Sequence, residues 1–414
     1  MNSLSILLYF GCLATIFQGQ DCYDDQGNAQ MCSPPFVNAA FNRSVQATNT
    51  CGQAGPTEFC PFSRWGQPLP CQVCDAQSPR TRHPPQMTTD TEFPRTWWQS
   101  DTMLDGIRYP VVINLTLDFK KAYDITYTNL RFQTAIPESF AIYKKTTESS
   151  DWTPYQFFSA SCRSTYGKPG RRFPTTADEA ICTNQYSDLF PLTGGRVPFS
   201  TLGSRPGAFS FDNNPVLQEW VTASAIRISL TRMNTFGDED FGGDTVLKSY
   251  YYAISDISVG ARCKCNGHAS ECYTPDGQES DREVCRCQHN TAGVDCEKCL
   301  PMYNDKPWAR ATSSSANQCQ RCECNNKADS CSFDQDLYQR TGRGGRCVDC
   351  RDNTDGPHCE RCKDNHYLRS SDGRCTPCDC DPVGSDTLQC DGTGQCQCKS
   401  GYTGEKCTRS SSTS

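Results

Sequence analysis

The chain has 414 residues, a formal net charge of −7, 36% hydrophobic residues and 31 cysteines. An acidic chain with no basic surplus excludes the electrostatics of a nucleic-acid binder. So little aliphatic material for two or three domains' worth of length means that part of the chain is held by cross-links rather than by burial.

In chain order, residues 1–20 carry no charged side chain and contain the apolar run Leu7 to Phe17. This reads as a secretory leader cleaved near Gly19–Gln20, the other reading being a buried N-terminal strand or helix. Cys12 leaves with it, and thirty cysteines remain, an even number suited to full pairing in an oxidising compartment. No later apolar stretch reaches the ~18 residues needed to cross a bilayer. The mature chain is therefore expected outside the cell without a membrane span, and the sequons at Asn42 and Asn114 as its glycosylation sites.

Residues 21–262 hold eight cysteines, all between Cys22 and Cys182, and read as strands. Val111 to Phe119, Ala122 to Gln133 and Ala225 to Leu230 alternate and are rich in β-branched and aromatic residues. Turns fall at Pro191–Gly195 and Asp212–Pro215. A short helix is predicted around Pro215 to Val221, with Asn213 or Asn214 as its cap and Pro215 in its first position. The fold class predicted is mainly β, a jelly-roll-type β-sandwich.

At Cys263 the cysteine density jumps, with twenty-two from there to Cys407. They fall into units opening at Cys263, Cys322 and Cys378, each beginning Cys-x-Cys and each carrying a Cys-x8-Cys loop that ends in Gly-x-x-Cys. This spacing marks a linear array of small modules, too polar to fold on burial alone and dependent on disulfides. Tetrahedral zinc is the rival use of such cysteine spacing. The expected domains are a leader at 1–20, a sandwich at 21–262, and repeats at 263–321, 322–377 and 378–409. The third repeat is incomplete, and a disordered tail follows at 410–414.

Several motifs carry a family resemblance: Pro35-Phe36-Val37-Asn38-Ala39-Ala40-Phe41, Trp97-Trp98-Gln99-Ser100, Pro137 to Lys144, Val216 to Ala223, Asn234 to Asp238, and Arg262-Cys263-Lys264-Cys265-Asn266-Gly267-His268. They resemble the N-terminal domain and first EGF-like repeat shared by laminins and netrins, over nearly the whole mature chain. Netrins carry cysteines where this chain has Trp97 and Gln133, and they end in a basic module. Both differences place the resemblance on the laminin γ side.

The resemblance implies a secreted basement-membrane protein in cell adhesion and tissue morphogenesis, without catalysis. Its polymerisation would be calcium-dependent, with the N-terminal domains of laminin α and β chains as partners. A netrin-like ligand for a cell-surface receptor is the alternative. A structural calcium ion is implied at the Met87 carbonyl, Asp90, Thr96 and Ser255, where the bland reading is a turn capped by Asp90 and a strand begun at Thr96. Contact with partner domains is implied at Trp97, Trp98, Gln99 and Ser100 and at Pro191, Leu192, Thr193, Gly194 and Gly195. Adjacent tryptophans in a strand point to opposite faces, so one of the two is expected in the core.

The family pairing, carried onto these cysteines, is Cys263–Cys272, Cys265–Cys285, Cys287–Cys296 and Cys299–Cys319 in the first repeat. It is Cys322–Cys331, Cys324–Cys347, Cys350–Cys359 and Cys362–Cys375 in the second, and Cys378–Cys390, Cys380–Cys396 and Cys398–Cys407 in the third. Spacing leaves pairing in the first domain open, with Cys162–Cys182 the first pair to test. No heptad coiled coil follows the repeats, so this stretch alone is not expected to form a trimer but to compete for a polymer contact. The five histidines and the serines form no catalytic motif, and Asp238-Glu239-Asp240 reads as solvated surface.

Overall fold

The computed structural model describes residues 21–63, 65–90, 95–188, 190–235, 237–275 and 282–411. The leader at 1–20 and residues 412–414 of the expected tail lie outside them. The chain divides into two compact units, one built on Cys32–Cys265 and Ser270–Arg286, the other on Cys22–Met31, Asn266–Ala269 and Cys287–Ser414.

The larger unit is built on ten paired strands: β1 (Phe36–Asn38), β2 (Val45–Ala47), β3 (Trp98–Gln99), β4 (Ile113–Phe132), β5 (Ser139–Lys145), β6 (Thr153–Ser159), β7 (Cys182–Thr183), β8 (Arg196–Ser200), β9 (Thr222–Arg232) and β10 (Ala253–Cys263). The order along the sheet is β1-β10-β4-β9-β5-β6-β7, with β8 and β2 also on β4 and β3 on β10. Strand β4 organises the sandwich. Its first half pairs with β9, from Ile113↔Leu230 to Asp118↔Ala225, and with β2. Its second half pairs with β10, from Tyr123↔Cys263 to Phe132↔Ile254, and with β8. One strand with different neighbours on its two halves is how a sheet turns from one layer into the next.

Two local features make that possible. Lys120 has a left-handed backbone, φ 61°, its N–H bonded to the Asp118 carboxylate at 2.8 Å. Thr126 is the extra residue where the register with β10 slips between Gly260 and Ala261. Ahead of that bulge the odd-numbered residues Ile113, Leu115, Leu117, Phe119, Tyr123 and Ile125 are buried; beyond it the even-numbered Thr128, Leu130 and Phe132 are. A bulge inserts one residue and so flips the inward phase.

The core is aromatic. Phe140 stacks on Phe158 at 4.5 Å and meets Phe132 edge-on at 5.5 Å, with Trp98, Phe119 and Tyr155 fully buried. The helix Pro215–Val221 opens with Pro215 at its first turn and with the Asn214 side chain accepting from the Leu217 N–H at 3.1 Å. It buries Leu217, Trp220 and Val221, one face at helical spacing. At its other end buried Lys144 donates to the carbonyls of Glu219, Trp220 and Thr222 at 2.7, 2.6 and 2.9 Å. An ammonium there satisfies carbonyls that the helix leaves open and suits its negative end. Burial pulls that amine down to about 7.

The smaller unit is built mainly of short two-stranded ladders and disulfides, with a short helix at Gln335–Thr341. Its interior clusters are mostly sulfur, such as Cys322, Cys324, Cys331, Cys347 and Cys359 around Ala328. The Gly-x-x-Cys loops need their glycines: Gly293, Gly356 and Gly404 have φ 104°, 96° and 99°. A Cβ at Gly293 or Gly356 would also meet the Glu297 or Glu360 carboxylate, which would have to swing aside. The expected tail is ordered at its start, a correction to the sequence reading. Arg409–Ser410 pairs with Tyr402–Thr403, and Ser411 N–H bonds Gly401 at 2.8 Å, because the last Gly-x-x-Cys loop offers its edge.

Candidate functional sites

The short 3-10 turn Pro85–Thr88 packs against β10 and places Met87 and Asp90 beside Thr96. The Thr96 hydroxyl lies 3.3 Å from the Met87 carbonyl and 2.9 and 2.8 Å from the two Asp90 carboxylate oxygens. A carboxylate, a carbonyl and a hydroxyl thus converge, the oxygen donors that a hard cation takes. Asp90 is exposed to a cleft of about 280 Å³ that also carries Asp256. Ser255 is on β10, its hydroxyl donating to the Arg131 carbonyl at 3.2 Å. Residues 91–94 lie outside the described residues.

Strand β3 then separates the four residues Trp97 to Ser100. Trp98, Gln99 and Ser100 are fully buried. Trp98 Nε1 donates to Thr50 Oγ1 at 3.1 Å, and Ser100 exchanges hydrogen bonds with the Tyr252 backbone, both at 2.9 Å. These three belong to the core and present nothing to a partner, which corrects the contact role read for them. Trp97 alone remains accessible, stacked on His83 at 4.3 Å. Burial pushes the His83 imidazole down to about 4. No sequence signal links His83 to Trp97, since 14 residues with no common period separate them.

The loop Pro191–Gly195 returns to the same place. Gly194 has φ 73° and its N–H bonds the Phe132 carbonyl at 2.9 Å; Gly195 is buried against Ile136. Leu192 and Thr193 remain partly exposed and line, with Trp97, Phe59, Phe62 and Ile136, an apolar groove of about 410 Å³. Two segments nearly a hundred residues apart in sequence therefore share one surface.

Of the sequons, Asn42 is exposed in a left-handed turn, φ 57°, whereas Asn114 is half-buried on β4 and accepts from Ser229 Oγ at 2.6 Å. Asp238 and Glu239 are tied into the surface, Asp238 accepting from Tyr250 Oη at 2.6 Å and Glu239 lying 3.6 Å from Arg232.

In the larger domain Cys51 joins Cys74, Cys60 joins Cys71 and Cys162 joins Cys182; Cys22 and Cys32 are disulfide-bonded as well. The first repeat carries Cys263–Cys272, Cys265–Cys285, Cys287–Cys296 and Cys299–Cys319. The second carries Cys322–Cys331, Cys324–Cys347, Cys350–Cys359 and Cys362–Cys375. The third carries Cys378–Cys390, Cys380–Cys396 and Cys398–Cys407. The sulfurs of Cys263, Cys265, Cys272 and Cys285 gather as a zinc site would, but both pairs are bonded and leave no thiolate for the metal. Among the described residues no helix is long and apolar enough to cross a membrane.

Residues 32–261 match the laminin N-terminal (Domain VI) family, 263–319 the laminin/attractin EGF domain, and 322–375 and 378–412 the laminin EGF domain. The chain is 55% identical over 395 residues to laminin subunit gamma-1 of Homo sapiens, covering 94% of this chain and 24% of that protein. It is 52% identical over 421 residues to laminin subunit gamma-3 of Mus musculus, covering 98% and 26%. It is also 52% identical over 396 residues to laminin-like protein lam-2 of Caenorhabditis elegans, covering 94% and 24%. The chain thus spans about a quarter of the length of these relatives. The strand-rich domain, the disulfide repeats and these matches agree: the chain belongs to the laminin family, on the side of its γ subunits, and is a protein of the extracellular matrix and basement membrane.

Proposed function

We propose that the N-terminal domain is a non-catalytic, calcium-dependent association module. It would join the N-terminal domains of laminin α and β chains in a polymer contact, with the repeats as spacer and cell adhesion and tissue morphogenesis as the outcome. The observation that carries this reading is the convergence of Trp97 with Leu192 and Thr193 on one apolar groove. Aromatic and apolar anchors in a shallow pocket supply most of the energy of a protein contact.

Calcium enters as an ordering device. The Met87 carbonyl, Asp90 and Thr96 would hold it, with Ser255 on the neighbouring strand, and when bound it would neutralise the carboxylate and stiffen the segment leading into Trp97. The chain's own residues then orient the contact, with the tryptophan braced by His83 and the loop braced by Gly194 on β4. Sedimentation of the purified chain with laminin α and β short arms, in calcium and then in EDTA, tests this. A faster-sedimenting complex that requires calcium is expected; no complex in either buffer would overturn the reading.

A further inference from the structure

His268 and His289 are both fully buried in the smaller unit, and their Nδ1 atoms face each other at 3.0 Å. Their other nitrogens are also committed. His268 Nε2 lies 3.0 Å from the Ala309 carbonyl, and His289 Nε2 lies 3.0 Å from the Cys22 carbonyl. A carbonyl only accepts, so each Nε2 must carry hydrogen, and the Nδ1···Nδ1 contact needs one more. Three hydrogen bonds require three protons, whereas two neutral imidazoles supply two. A metal ion is a poor substitute for the third, because only two nitrogens converge and Cys22 is already in a disulfide.

We propose that His268 and His289 share a single proton between their Nδ1 atoms. The pair acts as an acid-opened latch that holds the N-terminal segment Cys22–Met31 on the first repeat. With one shared proton the pair carries one positive charge and all three hydrogen bonds are made. A second proton, taken from solvent, places N–H against N–H at 3.0 Å, and the rings must part. The titratable and charged groups facing the pair are Tyr23, whose ring meets His289 edge-on at 5.4 Å, and Arg310, whose charge opposes the second proton. Burial, with His289 and Arg310 adding to it, holds the His268 titration down to about 4, below the ordinary 6.5. An opened pair therefore binds more protons than a closed one between those values, so the latch weakens as pH falls through that window.

Hydrogen exchange on the whole chain reads the latch, at pH 7 and pH 5 after correction for intrinsic rates. The reporters are the amides of Gln30, Gln288 and Cys319, which bond the carbonyls of Cys22, His268 and His289. In the wild type roughly a fivefold loss of protection is expected at pH 5. The double variant His268→Gln/His289→Gln, which keeps amide donors for the Ala309 and Cys22 carbonyls but has no imidazole to titrate, should change less than twofold. A flat wild-type response, or an equal loss in the variant, would overturn the latch. Nitrogen-15 NMR of the wild-type histidines tests it without a variant. A shared proton with the second uptake far below the first is expected, and two independent titrations near the ordinary value, or a dependence on added zinc, would overturn it.

Discussion

The larger domain and the repeats solve the same problem with different materials. In the domain Phe119, Phe132, Phe140, Tyr155 and Trp98 fill the space between strands, and a few disulfides fasten its outer segments. In the repeats the buried residues are largely the cysteines themselves, as around Ala328. Burial is shared across a whole sheet, so damage to it spreads, whereas a bridge in a small module stabilises mainly its own loop. Single substitutions in either region show whether that division holds.

The largest effect is expected from Trp98→Ala, at about 3–5 kcal/mol for a large core side chain removed, read as a lower urea midpoint for the domain. A loss confined to the β3 edge would contradict a shared core. Cys324→Ser, which opens the bridge to Cys347, should cost about 2–5 kcal/mol, but only in the second repeat. Limited proteolysis should then cut near residues 324–347 while the domain's thermal transition stays in place. A shift in both would merge the two regions into one cooperative unit.

The pH response separates them further. His83 titrates near 4 in the folded domain against about 6.5 unfolded, so the unfolded chain binds more protons in between. Domain stability should therefore fall as pH drops from about 6.5 toward 4, by roughly 2 kcal/mol, and His83→Phe should remove most of that slope. The smallest effect is expected from Asn214→Ala, at about 1 kcal/mol for a lost helix cap, within the domain alone.

What the sequence made legible follows the same division. The cysteine period marks the repeats because each module is local, and the Pro215 helix is legible because its proline and asparagine cap act within one turn. Strand β4 reads as two strands, since Lys120-Lys121 interrupts the alternation; the interruption is a left-handed residue inside one strand, held by pairing with β9 and β10 from more than a hundred residues away. Gln99 and Ser100 look like surface because they are polar. They are core because Ser100 finds its partner in Tyr252, which no local pattern announces. The Trp97 and Leu192 groove was legible only as two separate segments, through resemblance, and its assembly depends on the long return of the chain through Phe132 and Gly194.

If the groove of Trp97 and Leu192 is the contact surface, Leu192→Asp should block it. The substitution puts a charge on a partly exposed position of the groove without touching the core. In sedimentation with laminin α and β short arms and calcium, the variant should keep its thermal transition and lose association at least tenfold. Undiminished association with an unchanged transition would place the contact elsewhere on the domain.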